Sequence, residues 1–183
     1  TLKVEKGALK VITDFSDDIL LLNDKGILYN ERSVYYSHFE QVMNINAHTL
    51  VPNGKSYKKV KVTEFSSKDD VSAGVFYDDQ KAINFNYTDL KPGARTVLSY
   101  REIQSEPRFF GIHFFGSYID VLSSEFSIRV PDGVEITYKL FNVPSGLIEF
   151  SEVRKGKERI LTWKGKMATR GIIADSPPGV EGR

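Results

Sequence analysis

The sequence contains no cysteine in its 183 residues. Thiolates close disulfides, bind zinc and other soft metals, and act as nucleophiles. The absence of cysteine therefore excludes disulfide bonds, cysteine-ligated metal sites and a cysteine nucleophile from this chain. Any catalytic chemistry within it has to come from other side chains.

An excess of one charge and long apolar runs are also missing. The 25 basic and 24 acidic residues give a formal net charge of +1 at pH 7, so no global field attracts nucleic acid or an anionic membrane. The longest apolar run is Ile19 to Leu22, whereas a membrane-spanning helix needs about 20 apolar residues. We expect no nucleic-acid partner and no membrane insertion.

Helical periodicity is absent as well. No segment repeats apolar residues at the i, i+3, i+4, i+7 spacing of an amphipathic helix. Apolar and polar residues instead alternate over short runs: Phe126, Ile128 and Val130 share one face, and Ser127 and Arg129 the other. Such alternation between frequent turn signals is typical of strands. We predict an all-β fold, an antiparallel β-sandwich of about a dozen short strands with little helix.

Strong turn signals recur along the chain, at Asn53, Pro92, Asp132 and Lys155. Pro92 presets φ at the first central position of a type II turn, and Gly93 accepts the positive φ of the second. The alternating runs before and after this turn, residues 83–88 and 96–101, predict a hairpin. Residues 134–140 alternate in the same way and predict another strand.

The Asn53-Gly54 pair also predicts a hairpin, because it lies between two alternating runs. In the first run, alternation places Val42 and His48 on one face and Ala47 on the other. The second run carries a small basic group, formed by Lys58, Lys59 and Lys61. We interpret these lysines as a solvated or edge-protecting face.

The length of the chain suits one domain. We predict a single β-sandwich domain over residues 1–170 and a linker-like tail over residues 171–183, where Pro177-Pro178-Gly179 has linker composition. The chain starts at Thr1 rather than Met, from which we expect a removed upstream segment. The tail predicts a downstream domain of the same polypeptide as a partner.

Histidine is scarce, and no catalytic motif surrounds it. His38, His48 and His113 are isolated inside apparent strands, and no His-Glu-x-x-His sequence occurs. We expect no metal site, no cofactor and no catalytic residue. Asp78 and Asp79 lie in a predicted turn, and a hydrolase site around these two residues and His113 is an alternative. That alternative requires the three side chains to meet in a pocket.

One segment is unusually aromatic, and its rings are the candidate binding residues: Phe109, Phe110, Phe114, Phe115 and Tyr118. Two adjacent Phe residues in a strand point to opposite faces, so one member of each pair points away from a single core. Either a second layer or a neighbouring domain covers it, or it forms an exposed patch for a partner. The patch predicts binding of carbohydrate or peptide.

The order of several turn motifs resembles a known family over Asp17 to Trp163. The motifs are Ala47-His48-Thr49-Leu50-Val51-Pro52-Asn53-Gly54-Lys55, Phe76-Tyr77-Asp78-Asp79-Gln80-Lys81, Leu90-Lys91-Pro92-Gly93, Phe126-Ser127-Ile128-Arg129-Val130-Pro131 and Thr162-Trp163. In this order they are similar to the uncharacterised N-terminal domain, domain of unknown function 3857, of exported bacterial transglutaminase-like proteins.

The resemblance implies an all-β domain similar to the N-terminal β-sandwich of zinc aminopeptidases. It also implies a bacterium of the Bacteroidetes type and a periplasmic, cell-surface or secreted location. It assigns no catalytic residue to this domain, because the transglutaminase-like Cys, His and Asp would follow Arg183. We therefore expect a non-catalytic accessory domain that packs on or positions a downstream transglutaminase-like or peptidase-like domain. The alternatives are a stand-alone carbohydrate- or peptide-binding module and the hydrolase described above.

Overall fold

Strands make up nearly all the regular structure of the computed structural model, which describes residues 1–37, 39–69, 81–106, 112–117 and 119–168. The described strands are β1 (Leu2–Glu5), β2 (Ala8–Leu20), β3 (Glu31–Tyr36), β4 (Glu40–Asn53), β5 (Ser56–Lys61), β6 (Ser66–Asp69), β7 (Lys81–Asn86), β8 (Arg95–Gln104), β9 (Val121–Pro131), β10 (Ile148–Lys155) and β11 (Glu158–Ala168). A short 3-10 helix spans Asp24–Tyr29. The predicted all-β class is confirmed. Among the described residues, no helix has the length and apolar character needed to cross a membrane.

The described strands form three antiparallel sheets. Their strand orders are β1-β2-β8-β4-β5, β3-β7-β6 and β10-β11-β9. The described residues fall into two compact units: a central unit within Lys10–Pro107 and a terminal unit within Thr1–Leu9 and Arg108–Arg183. The single domain over residues 1–170 stays a prediction, and the tail predicted at 171–183 lies outside the described residues.

The core of the central unit lies between two of these sheets. Val34 and Phe85, from β3 and β7, form one buried cluster with Ala47 and Leu98, from β4 and β8, and with Tyr87. Because side chains alternate along a strand, each sheet presents one apolar face to this cluster. The two-layer packing is that of the predicted sandwich.

The turn around Pro92 has the predicted geometry, but it does not close a hairpin. The Lys91 carbonyl accepts a 2.9 Å hydrogen bond from the Ala94 amide, and Gly93 has φ +84°. However, β7 pairs with β3 and β6, whereas β8 pairs with β2 and β4. The predicted hairpin is therefore wrong: the turn carries the chain from one sheet to the other, and Leu21 anchors it by exchanging backbone hydrogen bonds with Gly93 and Ala94.

The geometry of the Pro92 turn predicts that any side chain at position 93 destabilises the fold. We expect Gly93→Ala to lower the free energy of unfolding by about 1–2 kcal/mol from the left-handed backbone alone. An added Cβ would also lie 3.3 Å from Cγ of Pro52, which adds to the loss. Urea denaturation measures it. Gly133→Ala is the matched control, since Gly133 has φ +83° with open space around it; equal losses in the two variants would show that the Pro52 contact costs nothing.

A bulge in β4 overturns the predicted face of Val42. The register with β8 shifts between Met43 and Asn46, where Asn44 has φ +57°. An extra residue in one strand reverses the alternation beyond it. Val42 therefore packs against the same core cluster as Ala47 instead of lying on the opposite face.

The strand predicted over residues 134–140 is also absent from the structure. No regular structure occurs between Gly133 and Leu147, and the next strand is β10. One end of the segment is held by the Val134 carbonyl, which accepts a 3.0 Å hydrogen bond from Arg159. Its apolar residues alternate as they would in a strand, but they form none. A period of two in the sequence does not by itself supply a neighbouring strand to pair with. The hairpin turns at Gly54 and Gly156, in contrast, are present as predicted.

Candidate functional site

Two of the five predicted aromatic binding residues are described, and they differ in exposure. The side chain of Phe114 is 78% exposed. Phe115 is half-buried, and its ring meets that of His113 edge-on with centroids 4.6 Å apart. Phe109, Phe110 and Tyr118 lie outside the described residues. The structure therefore places one predicted ring at the surface and one against the sheet of the terminal unit.

That sheet carries a row of three rings, which we call the aromatic row: Phe126, Trp163 and Phe150. The strand register places Trp163 of β11 directly opposite Phe126 of β9 and Phe150 of β10. Directly opposed residues on one face are near neighbours, so their rings meet. Trp163 lies 5.8 Å from Phe126 and 5.1 Å from Phe150, centroid to centroid, and it is only 3% exposed.

Further rings cover the two ends of the row. His113 stacks on Phe126 at 4.8 Å with nearly parallel planes. Tyr138 meets Trp163 edge-on at 4.8 Å and lies 5.2 Å from Phe150. Tyr138 and Phe150 stay 49% and 43% exposed. The aromatic row is thus a buried tryptophan with a partly exposed aromatic rim at one end.

The opposite face of the same sheet is polar. Lys164 pairs with Glu125 at 3.1 Å, and Lys166 pairs with Glu149 at 2.8 Å. The sequence showed this alternation of apolar and polar faces for β9. The sequence did not reveal that Phe150 belongs to the row or that His113 and Tyr138 cover its ends, because these positions depend on strand register and on segments without regular structure.

His113 has a serine neighbour, and among the described residues no carboxylate shifts its pKa. Its Nε2 lies 3.2 Å from Oγ of Ser124. Desolvation by the surrounding rings lowers the pKa of His113, and no charged group among the described residues adds to this shift. A serine nucleophile needs a base that a third group orients. Asp78 and Asp79, the other residues of the predicted hydrolase site, lie outside the described residues.

His48, on β4, lies near the ammonium groups of Lys59 and Lys61. Burial is the main cause that lowers its pKa, and Lys59 and Lys61 lower it further while Asp18 opposes them. Its Nδ1 is buried, and no described residue forms a hydrogen bond with it. Within the described part of the chain, no group of three or more His, Asp or Glu side chains is placed to hold a metal ion. His38 lies outside the described residues.

The central unit has an open depression of about 400 Å³, lined by Asp14, Phe15, Ser16, Asn44, Ser99, Tyr100 and Arg101. Its two charged groups neutralise each other, because Arg101 donates hydrogen bonds of 2.6 and 2.9 Å to the Asp14 carboxylate. Burial raises the pKa of Tyr100 to about 12, so this phenol stays protonated at neutral pH. The depression therefore offers no free acid or base.

Comparison with known proteins gives a fold and a family. The fold is similar to part of the crystal structure of a "putative protease" from Parabacteroides distasonis, with a TM-score of 0.73 and 17% sequence identity. The match covers 97% of this chain and 35% of that chain, so this chain spans about a third of the other's length. No curated protein matches the chain. The model of the family called Domain of Unknown Function with solved structure (DUF3857) matches residues 15–169, and the chain belongs to this family.

Proposed function

We propose that this chain is a non-catalytic accessory module of a larger, exported bacterial protein, in which it packs on or positions a transglutaminase-like or peptidase-like catalytic domain. One observation carries the proposal: the similar solved structure contains this fold as 35% of a longer chain. That chain is described as a "putative protease", which favours a catalytic domain as the neighbour. The exported location rests on the family resemblance.

The surface of the terminal unit supports the proposal. Ile112, Phe114 and Phe141 are 83%, 78% and 69% exposed. Exposed apolar side chains that lie close together are typical of surfaces that a protein partner covers, and Ile112 and Phe114 are only two residues apart. The described residues place no base beside both a nucleophile and an orienting carboxylate.

The experiment compares the whole protein with the isolated chain. The isolated chain is expected to cleave no casein and to transfer no glutamine acyl group. In the whole protein, Ile112→Ser with Phe114→Ser is expected to expose the neighbouring domain, and limited proteolysis between the domains becomes several-fold faster. Leu28→Ser is the matched control, because Leu28 is also 83% exposed but lies in the central unit. Casein cleavage by the isolated chain would overturn the proposal.

A second candidate is a stand-alone module that binds carbohydrate or peptide. The 78% exposure of Phe114 favours it, because sugar rings and proline side chains stack on open aromatic faces. Titration of the isolated chain with polysaccharides and peptides, followed by the fluorescence of Trp163, separates the two candidates. A saturable change that Phe114→Ser removes would favour binding over the accessory role.

A further inference from the structure

The paired part of the β4–β5 hairpin, His48 to Lys61, carries a positive charge that its own residues do not neutralise. Residues 41–63 contain four lysines and no Asp or Glu, although the whole chain is nearly balanced. Lys55 lies in the turn, and Lys58, Lys59 and Lys61 lie in β5. All four are exposed. The hairpin is therefore a local basic surface in a chain of net charge +1.

Other strands neutralise their cations. Arg95 pairs with Asp18, Lys164 with Glu125 and Lys166 with Glu149. Among the described residues, none of the four hairpin lysines has an acidic partner. The positive charge of these lysines also acts on His48. Lys61 lies opposite His48 in the register, and both Lys59 and Lys61 disfavour its protonation.

The outer side of β5 has no neighbouring strand among the described residues, because β5 ends the sheet order. The Val62 amide donates a 2.9 Å hydrogen bond to the Ala47 carbonyl. Backbone groups of an antiparallel strand point alternately to its two sides. Tyr57, Lys59 and Lys61 therefore direct their backbone N–H and C=O groups toward the open side, where a further strand could pair with them.

We propose that β5 is a docking edge for an acidic, extended protein segment, which adds as a further strand and places carboxylates against Lys59 and Lys61, which share one face of β5. Strand addition supplies backbone hydrogen bonds, and side-chain charge supplies the selectivity. Lysines on an edge repel basic strands, and they disfavour apolar strands because pairing would desolvate the ammonium groups. The same lysines favour an acidic strand. Nucleic acids and lipid headgroups would match the charge but have no peptide backbone to pair with β5. This edge belongs to the central unit and the exposed rings belong to the terminal unit, and the inference does not depend on the accessory role.

Fluorescence anisotropy of the full chain at low salt tests the inference. The probe is a short labelled peptide of alternating Glu and Thr, and the comparison probes carry Lys for Glu or Pro for Thr. The Glu-Thr peptide is expected to bind, and the other two are not. Lys59→Gln with Lys61→Gln is expected to weaken binding about tenfold. Lys155→Gln with Lys157→Gln removes the same charge from another hairpin and is expected to leave affinity unchanged.

Several results would overturn the inference. Equal binding of the Pro-containing acidic peptide would mean attraction by charge without strand pairing. Binding of heparin or phosphatidylglycerol vesicles, with no binding of the Glu-Thr peptide, would identify a different class of polyanion. No binding of the Glu-Thr peptide at low salt would leave edge protection as the role of the lysines. Equal weakening by the two lysine pairs would show that only net charge matters.

Discussion

Replacing Trp163 by alanine is expected to lower the free energy of unfolding by about 3–5 kcal/mol, the range found when a large buried aromatic side chain is removed. Trp163 is 3% exposed and touches rings on both neighbouring strands and from the segment above them. These neighbours belong to β9, β10 and residues 134–147, so the cavity would loosen each of them. Urea denaturation followed by circular dichroism measures the loss.

Trp163→Phe is the informative companion. The indole Nε1 is buried with no hydrogen-bond partner among the described residues, so its removal sacrifices no hydrogen bond. The phenylalanine ring keeps most of the contact with Phe126 and Phe150. We expect a loss of about 1 kcal/mol, from reduced ring area. If Trp163→Phe destabilised the protein as much as Trp163→Ala, Nε1 would have an acceptor that this arrangement lacks.

The fold class followed from the sequence because it depends on local signals. Alternation with period two and Gly at positions of positive φ predict strands and turns without knowledge of any partner. The turns at Gly54, Gly93 and Gly156 accordingly lie where the sequence predicts them. What these signals lack is the identity of the neighbouring strand. For this reason, the Pro92 turn was predicted to close a hairpin when it joins two sheets.

The aromatic row, too, was predictable from the sequence only in part. Alternation in β9 assigned Phe126 to a strand, and the register places Trp163 of β11 directly opposite it. The rings that cover the ends of the aromatic row are His113 and Tyr138, which come from segments without regular structure. Positions in such segments depend on tertiary packing, which no local period encodes. The bulge at Asn44 is a comparable case, because one extra residue changes the face of Val42 without a strong sequence signal.

The ion pair between Asp17 and Arg32 carries the second large prediction. Arg32 of β3 donates a 2.6 Å hydrogen bond to the carboxylate of Asp17 in β2, and each side chain is 24% exposed. The pair therefore joins the two sheets of the central unit. Arg32→Met is expected to lower the free energy of unfolding by about 2 kcal/mol, less than for a fully buried pair, because it leaves a partly desolvated carboxylate without its cation.

The pH dependence of this loss has a defined sign. Desolvation is the largest influence on Asp17 and raises its pKa above 3.8, while Arg32 opposes the shift. A carboxyl whose pKa is higher in the folded state lowers stability as pH rises through that range. Without Arg32 the folded pKa rises further, so the deficit of Arg32→Met should be larger at pH 7 than at pH 4. Denaturation curves at the two pH values measure the difference.

The double variant Asp17→Leu with Arg32→Met distinguishes an isolated charge from lost packing. It removes both charged groups and keeps apolar volume between the sheets, so we expect it to recover most of the loss, to within about 1 kcal/mol of the natural chain. A double variant no more stable than Arg32→Met would mean that the stem of Arg32 acts by packing. A loss that stayed the same at pH 4 and pH 7 would lead to the same conclusion, since the ionisation of Asp17 would then play no part in it.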